Sequence, residues 1–260
     1  MPGTPADNRF EFSRKCALWL LLWSLAWPLA AAELPAGFVD VRNAIPDLRV
    51  ELRYLGSDNF LGVPVDGYEG ERLILTAEAA AALSGVQDEL RAMGLGLLVY
   101  DGYRPQRAVD HFVRWAKDLD DQVNKAAYYP GVDKAILFAE GYIAERSGHT
   151  RGSTVDLTIA GLCQTQMVDM NVHPTVATTD NESGAQAACG VTLDMGTPWD
   201  YFGPESWPSY SGITAQQRAN RLLLRSLMLA HGFKGLDEEW WHFTLVDEPF
   251  PETYFDFPMR

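Results

Sequence analysis

Two segments roughly ninety residues apart carry the most chemically useful side chains of this chain. The first is Ser147-Gly148-His149-Thr150-Arg151-Gly152-Ser153-Thr154-Val155-Asp156, and the second is Glu239-Trp240-Trp241-His242. Together they offer two imidazoles, one carboxylate and a second, separate carboxylate. That is the inventory of a catalytic zinc site: three protein ligands, a fourth position open to water, and a general base beside it.

Each segment alone is a weak signal. A histidine and an aspartate seven residues apart fit no helical face once glycines intervene, but suit one ligand on a loop and another on the strand it enters. Gly148 and Gly152 give that loop its freedom. The plainer alternative is a surface histidine and a strand aspartate that bonds a turn. Glu239 and His242 sit three apart, and on an ideal strand such residues point to opposite faces. One of them must therefore lie at the irregular start of the strand if both serve one site. Trp240 and Trp241 could simply fill a core, yet a carboxylate and an imidazole among bulky apolar groups need compensating partners. Arg104, in Asp101-Gly102-Tyr103-Arg104-Pro105, is a third element. It stands where a short apolar strand gives way to a helix, a common place for functional side chains. Its guanidinium could bind a carboxylate, stabilise a developing oxyanion, or simply pair with Asp101.

The elements that must position these groups can be read from period and punctuation. Residues 48–54 alternate like a strand. Thr76 can cap an alanine-rich helix to about Met93, closed by Gly94. Residues 95–100 form a short, almost wholly apolar strand, followed by a helix from about Pro105 to Leu119. A further helix fits 134–146. Strands fit 155–159, 191–195 and 241–246, and Thr214 with Gln217 makes a capping box for a helix to about His231. His111 and His231 fall in helices and read as structural or solvent-facing. The interleaving lacks the strict rhythm of a parallel βαβ array, so an α+β domain with a mainly antiparallel sheet is expected.

The N-terminus reads as an export signal. Arg9, Arg14 and Lys15 make a basic start, 17–29 is an apolar run, and Ala30-Ala31-Ala32 offers a small-x-small cleavage pattern. The apolar run is short for a membrane span. Cleavage would leave residues 33–260 as a single periplasmic or secreted domain. The removed segment carries three basic and two acidic residues, so the charge moves from −14 to −15. Such acidity argues against a nucleic-acid or membrane-surface role. Cleavage also removes Cys16 and leaves Cys163 and Cys189, which in an exported chain read as a disulfide tying off the polar excursion 160–190. His173 inside that excursion reads as a surface residue.

The ordered motifs GYRP at Gly102–Pro105, S-x-H-x-x-G-x-x-x-D at Ser147–Asp156, DMGTPWDYF at Asp194–Phe202 and EWWHF at Glu239–Phe243 make the chain similar to the D-alanyl-D-alanine dipeptidase family. These are zinc peptidases that include the vancomycin-resistance D,D-dipeptidases. Residues 52–54 and 59–62 add to the resemblance, which spans about 39–246. It implies the hedgehog-type α+β fold of the D-Ala-D-Ala carboxypeptidases and one Zn2+ per chain held by His149, Asp156 and His242. It further implies Glu239 as catalytic base and Arg104 as transition-state arginine, with Ser147, Asp194 and Tyr54 shaping the pocket or holding the dipeptide's ammonium group. Thr154 stands where the family usually has alanine. The implied reaction is hydrolysis of D-alanyl-D-alanine to free D-alanine. A D,D-carboxypeptidase acting on cell-wall stem peptides would use the same ligands, and a noncatalytic zinc or wall-binding module is the competing class.

Overall fold

In the computed structural model, residues 1, 3, 33–162 and 189–260 are described. Within them the chain builds a five-stranded sheet, a two-stranded ribbon and a few flanking helices, an α+β fold. The ribbon pairs β1 (Phe38–Asp40) antiparallel to β3 (Ile74–Thr76). The larger sheet has the order β2 (Arg49–Val50), β4 (Leu95–Asp101), β5 (Thr154–Gly161), β7 (His242–Leu245), β6 (Phe233–Gly235). Only β2 runs parallel to its neighbour; every other pairing in this sheet is antiparallel. β5 is buried along its whole length, as expected of a strand flanked on both sides.

Helices begin where side chains satisfy the free N–H groups of a first turn. Thr76 ends β3 and caps α2 (Ala77–Ala92), accepting from the Ala79 N–H at 3.3 Å. The helix lays Ala79, Ala80, Leu83, Val86 and Leu90 against the sheet. Buried Gln87 accepts from the backbone N–H of Leu97 on β4 at 2.8 Å, which ties helix to strand. Short helices α1 (Val41–Ala44) and α4 (Lys125–Tyr128) complete the connections. α3 (Gln106–Lys117) follows Pro105, and α5 (Ala215–Ala230) begins at the expected Thr214/Gln217 capping box. No helix among the described residues is long and apolar enough to cross a membrane.

Three expected elements differ. Residues 48–54 are not one strand: strand pairing with β4 is limited to Arg49 and Val50. The chain then tightens into a 3-10 turn, Arg53–Leu55, that sends Tyr54 into the core. Residues 134–146 hold a single 3-10 turn, Lys134–Ile136. Gly141 takes a left-handed φ of 79°, and the Tyr142 and Ile143 N–H groups both fold back on the Leu137 carbonyl. Residues 191–195 make only a bridge, Thr192 to Ala160, instead of a strand. The expected Cys163–Cys189 link involves residue 163, which lies outside the described residues, as does His173.

The C-terminal segment is structural. Phe250, Phe255 and Phe257 pack around Phe38 with ring centroids 5.7, 4.9 and 5.0 Å away. Tyr103 stacks on Phe257 at 4.0 Å, and its hydroxyl donates to the Phe257 carbonyl at 3.0 Å. This braces the β4–α3 junction. Gly102 at that junction has no room for a side chain: an added Cβ would sit 2.7 Å from Leu73 Cδ1 and 2.9 Å from the Ile74 carbonyl oxygen. Gly102→Ala should therefore lower the unfolding free energy by about 1–3 kcal/mol, the usual cost of overpacking. Urea unfolding curves would check this, with an unchanged midpoint counting against the close packing.

Candidate metal centre and substrate pocket

Three neighbouring strands bring the site together in one row. Asp156 on β5 is paired in register with Asp101 on β4 and with His242 on β7. His149 comes from a 3-10 turn, Gly148–Arg151, just before β5. Ser147 caps that turn, its Oγ accepting from the His149 N–H at 3.3 Å. The turn closes through Gly152 at φ 85°, where a Cβ would lie 2.2 Å from the Phe38 ring. His242 opens β7, and Glu239 lies in the irregular stretch ahead of it. The alternation of a regular strand therefore never applies to this pair, and Glu239 Oε2 stands 3.4 Å from His242 Nδ1.

One ligand atom from each of His149, Asp156 and His242 lies within 4.8 Å of the others. His149 Nε2 and His242 Nδ1 are 3.3 Å apart, and lie 3.2 and 3.1 Å from Asp156 Oδ1. His149 Nδ1 donates to the Gly102 carbonyl at 2.8 Å. That bond fixes the tautomer and leaves the Nε2 lone pair facing the cluster. Asp156 Oδ1 is buried and accepts no hydrogen bond. A buried carboxylate oxygen without a donor is costly, and two imidazoles converging on it make a set that a borderline-soft dication satisfies. The residues fit zinc.

Around the cluster the charges are arranged in layers. Asp101, wholly buried, accepts from Tyr68 Oη at 2.7 Å, from the Gly102 N–H at 3.0 Å and from Arg104 Nε at 2.9 Å. Arg104 Nη2 also reaches Asp101 at 2.8 Å and stands 3.7 Å from Asp156 Oδ2. Its guanidinium lies over Tyr54 and Phe112, 5.1 and 5.0 Å from their ring centroids. The pairing with Asp101 thus aims the cation at the site instead of removing it. Burial pushes the His149 pKa down, favouring the neutral imidazole a metal needs. Burial alone would raise Asp156, but the neighbouring imidazoles of His149 and then His242 hold it well below the usual carboxylate range. Glu239 is pushed up to about 7, chiefly by burial, with the negative charge of Asp156 adding to it.

The cluster opens into a cavity of about 270 Å³ lined by Tyr54, Arg104, Ser147, Asp156, Asp200 and Glu239 among others. That is small against the roughly 300–1,000 Å³ of drug-sized sites. Asp194, expected here from the DMGTPWDYF motif, is not among the lining residues. It is exposed; its carboxylate accepts from the Gly196 N–H at 2.8 Å and from Gln217 Nε2 at 2.9 Å, so it anchors a turn to α5. The acid that does line the cavity is Asp200, further along the same motif. Asp200 is buried, has a left-handed φ of 59°, and accepts from Tyr54 Oη at 2.6 Å. Burial and then the nearby charge of Asp156 raise its pKa well above the ordinary value. Its flanking aromatics, Trp199 and Tyr201, were the available signal, since an acid between bulky apolar neighbours is drawn toward the core.

A largely buried histidine–carboxylate–histidine cluster with a further carboxylate beside it is the donor set of a mononuclear metallohydrolase. The model of the Peptidase_M15 D-ala-D-ala dipeptidase family matches residues 35–174 and 172–260, and the chain belongs to that family of zinc metallopeptidases. It is 41% identical over 222 residues to a D-alanyl-D-alanine dipeptidase of Streptomyces coelicolor, covering 85% of this chain and 98% of the relative. Relatives of the same name in Enterococcus faecalis and Escherichia coli are 38% and 30% identical, over 85% and 80% of this chain and 97% and 83% of their own.

The raised Glu239 pKa makes a prediction with a definite sign. A carboxyl titrating near 7 in the folded chain and near its ordinary 4.5 when unfolded binds more protons folded than unfolded between those values. Stability of the metal-free protein should therefore fall as pH rises through that window. Glu239→Gln removes the effect: with chelator present it should be more stable than the wild type at pH 8 by on the order of 2–3 kcal/mol, and equal near pH 4. Thermal melts across pH would test this, and parallel curves for the two proteins would refute it.

Proposed function

We propose that this chain hydrolyses free D-alanyl-D-alanine to two D-alanines. The observation that carries the reading is the presence in one small cavity of the His149–Asp156–His242 cluster, Glu239 and the buried Asp200–Tyr54 pair. Asp200 resists ionising in its buried setting, and an ammonium docking against it would restore the charged form. A free dipeptide brings that ammonium, whereas the acylated nitrogen of a stem peptide does not.

Zinc held by His149, Asp156 and His242 would supply Lewis acidity, acidifying water and polarising the scissile carbonyl. The protein does the rest. Glu239 accepts the proton of the attacking water and returns one to the departing amine. Arg104, aimed by Asp101, offers N–H donors to the negative charge that develops on the carbonyl oxygen. Ser147 holds the His149 turn, and Tyr54 orients Asp200 toward the N-terminal end of the substrate. The single cluster found among the described residues supports one zinc per chain.

Incubating the zinc-loaded protein with free D-Ala-D-Ala, N-acylated D-Ala-D-Ala and L-Ala-L-Ala tests the reading. Cleavage of the free D,D-dipeptide alone is expected, Glu239→Ala should reduce turnover at least 100-fold, and Asp200→Asn should cost on the order of 30- to 1000-fold in kcat/KM. Preference for the acylated peptide would instead assign a D,D-carboxypeptidase, and no Glu239-dependent cleavage would assign a binding module.

We further propose that the protein is periplasmic or secreted, with 1–32 removed as a signal peptide and Cys163 joined to Cys189. Support comes from the basic, apolar and small-residue pattern of the first 32 residues and from the cysteine count. Export favours salvage of wall-derived dipeptide over depletion of a cytoplasmic pool. Intact mass of the exported protein should begin at Glu33 and show no free thiol; retention of the full N-terminus, or two titratable thiols, would count against it.

A further inference from the structure

The two oxygens of Asp156 have different surroundings. Oδ1 faces both imidazoles and receives no hydrogen bond. Oδ2 points the other way: it accepts from the indole Nε1–H of Trp199 at 3.3 Å and lies 3.7 Å from Arg104 Nη2. We infer that Trp199 is a positioning residue that holds Asp156 as a one-oxygen metal ligand, by keeping Oδ2 engaged away from the ion. The inference rests on the zinc reading above and concerns how the chain shapes that site.

Trp199 is well suited to the task because it cannot easily move. It is 1% exposed. Its ring stacks on Tyr100 at 5.3 Å and 23°, and meets the edge of Tyr54 at 4.9 Å. Tyr100 belongs to β4, the strand beside β5, so the indole is referenced to the same sheet that carries Asp156. The next residue is Asp200, whose left-handed backbone lets two consecutive side chains serve one site: the indole N–H touches the metal ligand while the carboxylate meets Tyr54 and lines the cavity. An aspartate free to offer both oxygens would take up a second coordination position, the one that water or substrate needs for hydrolysis. A donor fixed on Oδ2 disfavours that binding mode, as outer partners of metal-ligating carboxylates do generally. Arg104 contributes charge at the same oxygen, but its shorter contacts go to Asp101.

Two replacements separate the N–H from the ring that carries it. Trp199→Phe removes both the donor and part of the bicycle. Incorporating 3-benzothienylalanine at position 199 keeps the bicycle and puts sulfur in place of N–H. Zinc affinity is measured by competition with a chromophoric chelator, the coordination number by the visible spectrum of the cobalt(II)-substituted protein, and packing by the melting temperature of the metal-free form. Both replacements should weaken zinc binding about 10- to 100-fold and lower the visible absorptivity of the cobalt protein as its coordination number rises. The benzothienyl protein should keep the wild-type metal-free melting temperature. Wild-type affinity and spectrum in the benzothienyl protein, or a loss confined to Trp199→Phe, would assign Trp199 to packing alone and overturn the inference. A wild-type chain that holds no zinc would overturn the metal reading together with this one, and differs from the former outcome in the first titration.

Discussion

Everything in this structure turns on a buried carboxylate, Asp156, that must not be left uncompensated. It sits at 1% exposure in the middle strand of the sheet, where an isolated charge would be severely penalised. The fold answers from β7 and from the segments that carry His149 and Arg104. His242 is its register partner on β7, whereas its register partner on β4, Asp101, is a like charge that Arg104 and Tyr68 offset. The row Asp101–Asp156–His242 forms the floor of the site, and its two carboxylates are offset by His149, His242 and Arg104. Chemistry and stability are therefore carried by the same hydrogen bonds.

A second arrangement follows from the first. The cation of Arg104 is saturated on one side by Asp101 and faces the cavity on the other, so it serves as a fixed dipole more than as a mobile arm. Likewise His149 is set by a backbone carbonyl, not by a side chain that could swing. Groups whose orientation is settled before substrate arrives need no reorganisation when charge develops, which is how preorganised sites stabilise transition states.

Much of this was legible in the residues. His149, Asp156, Glu239 and His242 stood out because their types and spacing suit a metal and its base, and helix α5 because its capping box is written in side-chain chemistry. What stayed hidden depends on tertiary geometry. The aromatics beside Asp200 hinted that it is drawn inward, but its place beside Tyr54 depends on a left-handed backbone at Asp200 that its sequence does not specify. The helix expected over 134–146 failed because buried Lys134 donates to the carbonyls of Asp118 and Asp121, which holds the turn against that loop, and because Gly141 turns left-handed. The strand expected over 48–54 is cut short because the chain tightens into the 3-10 turn Arg53–Leu55, which buries Tyr54. The Glu239/His242 spacing, awkward on an ideal strand, resolved because β7 begins only at His242.

The aromatic brace on Tyr103 has a consequence for synthesis. Its partner Phe257 lies 154 residues downstream, and Met259, fully buried, bridges to Tyr68, the residue that donates to Asp101. A ribosome-bound chain that has already produced His149, Asp156 and His242 still lacks the segment that steadies Arg104 and its anchor. The centre is finished only after the C-terminal segment has emerged and folded back.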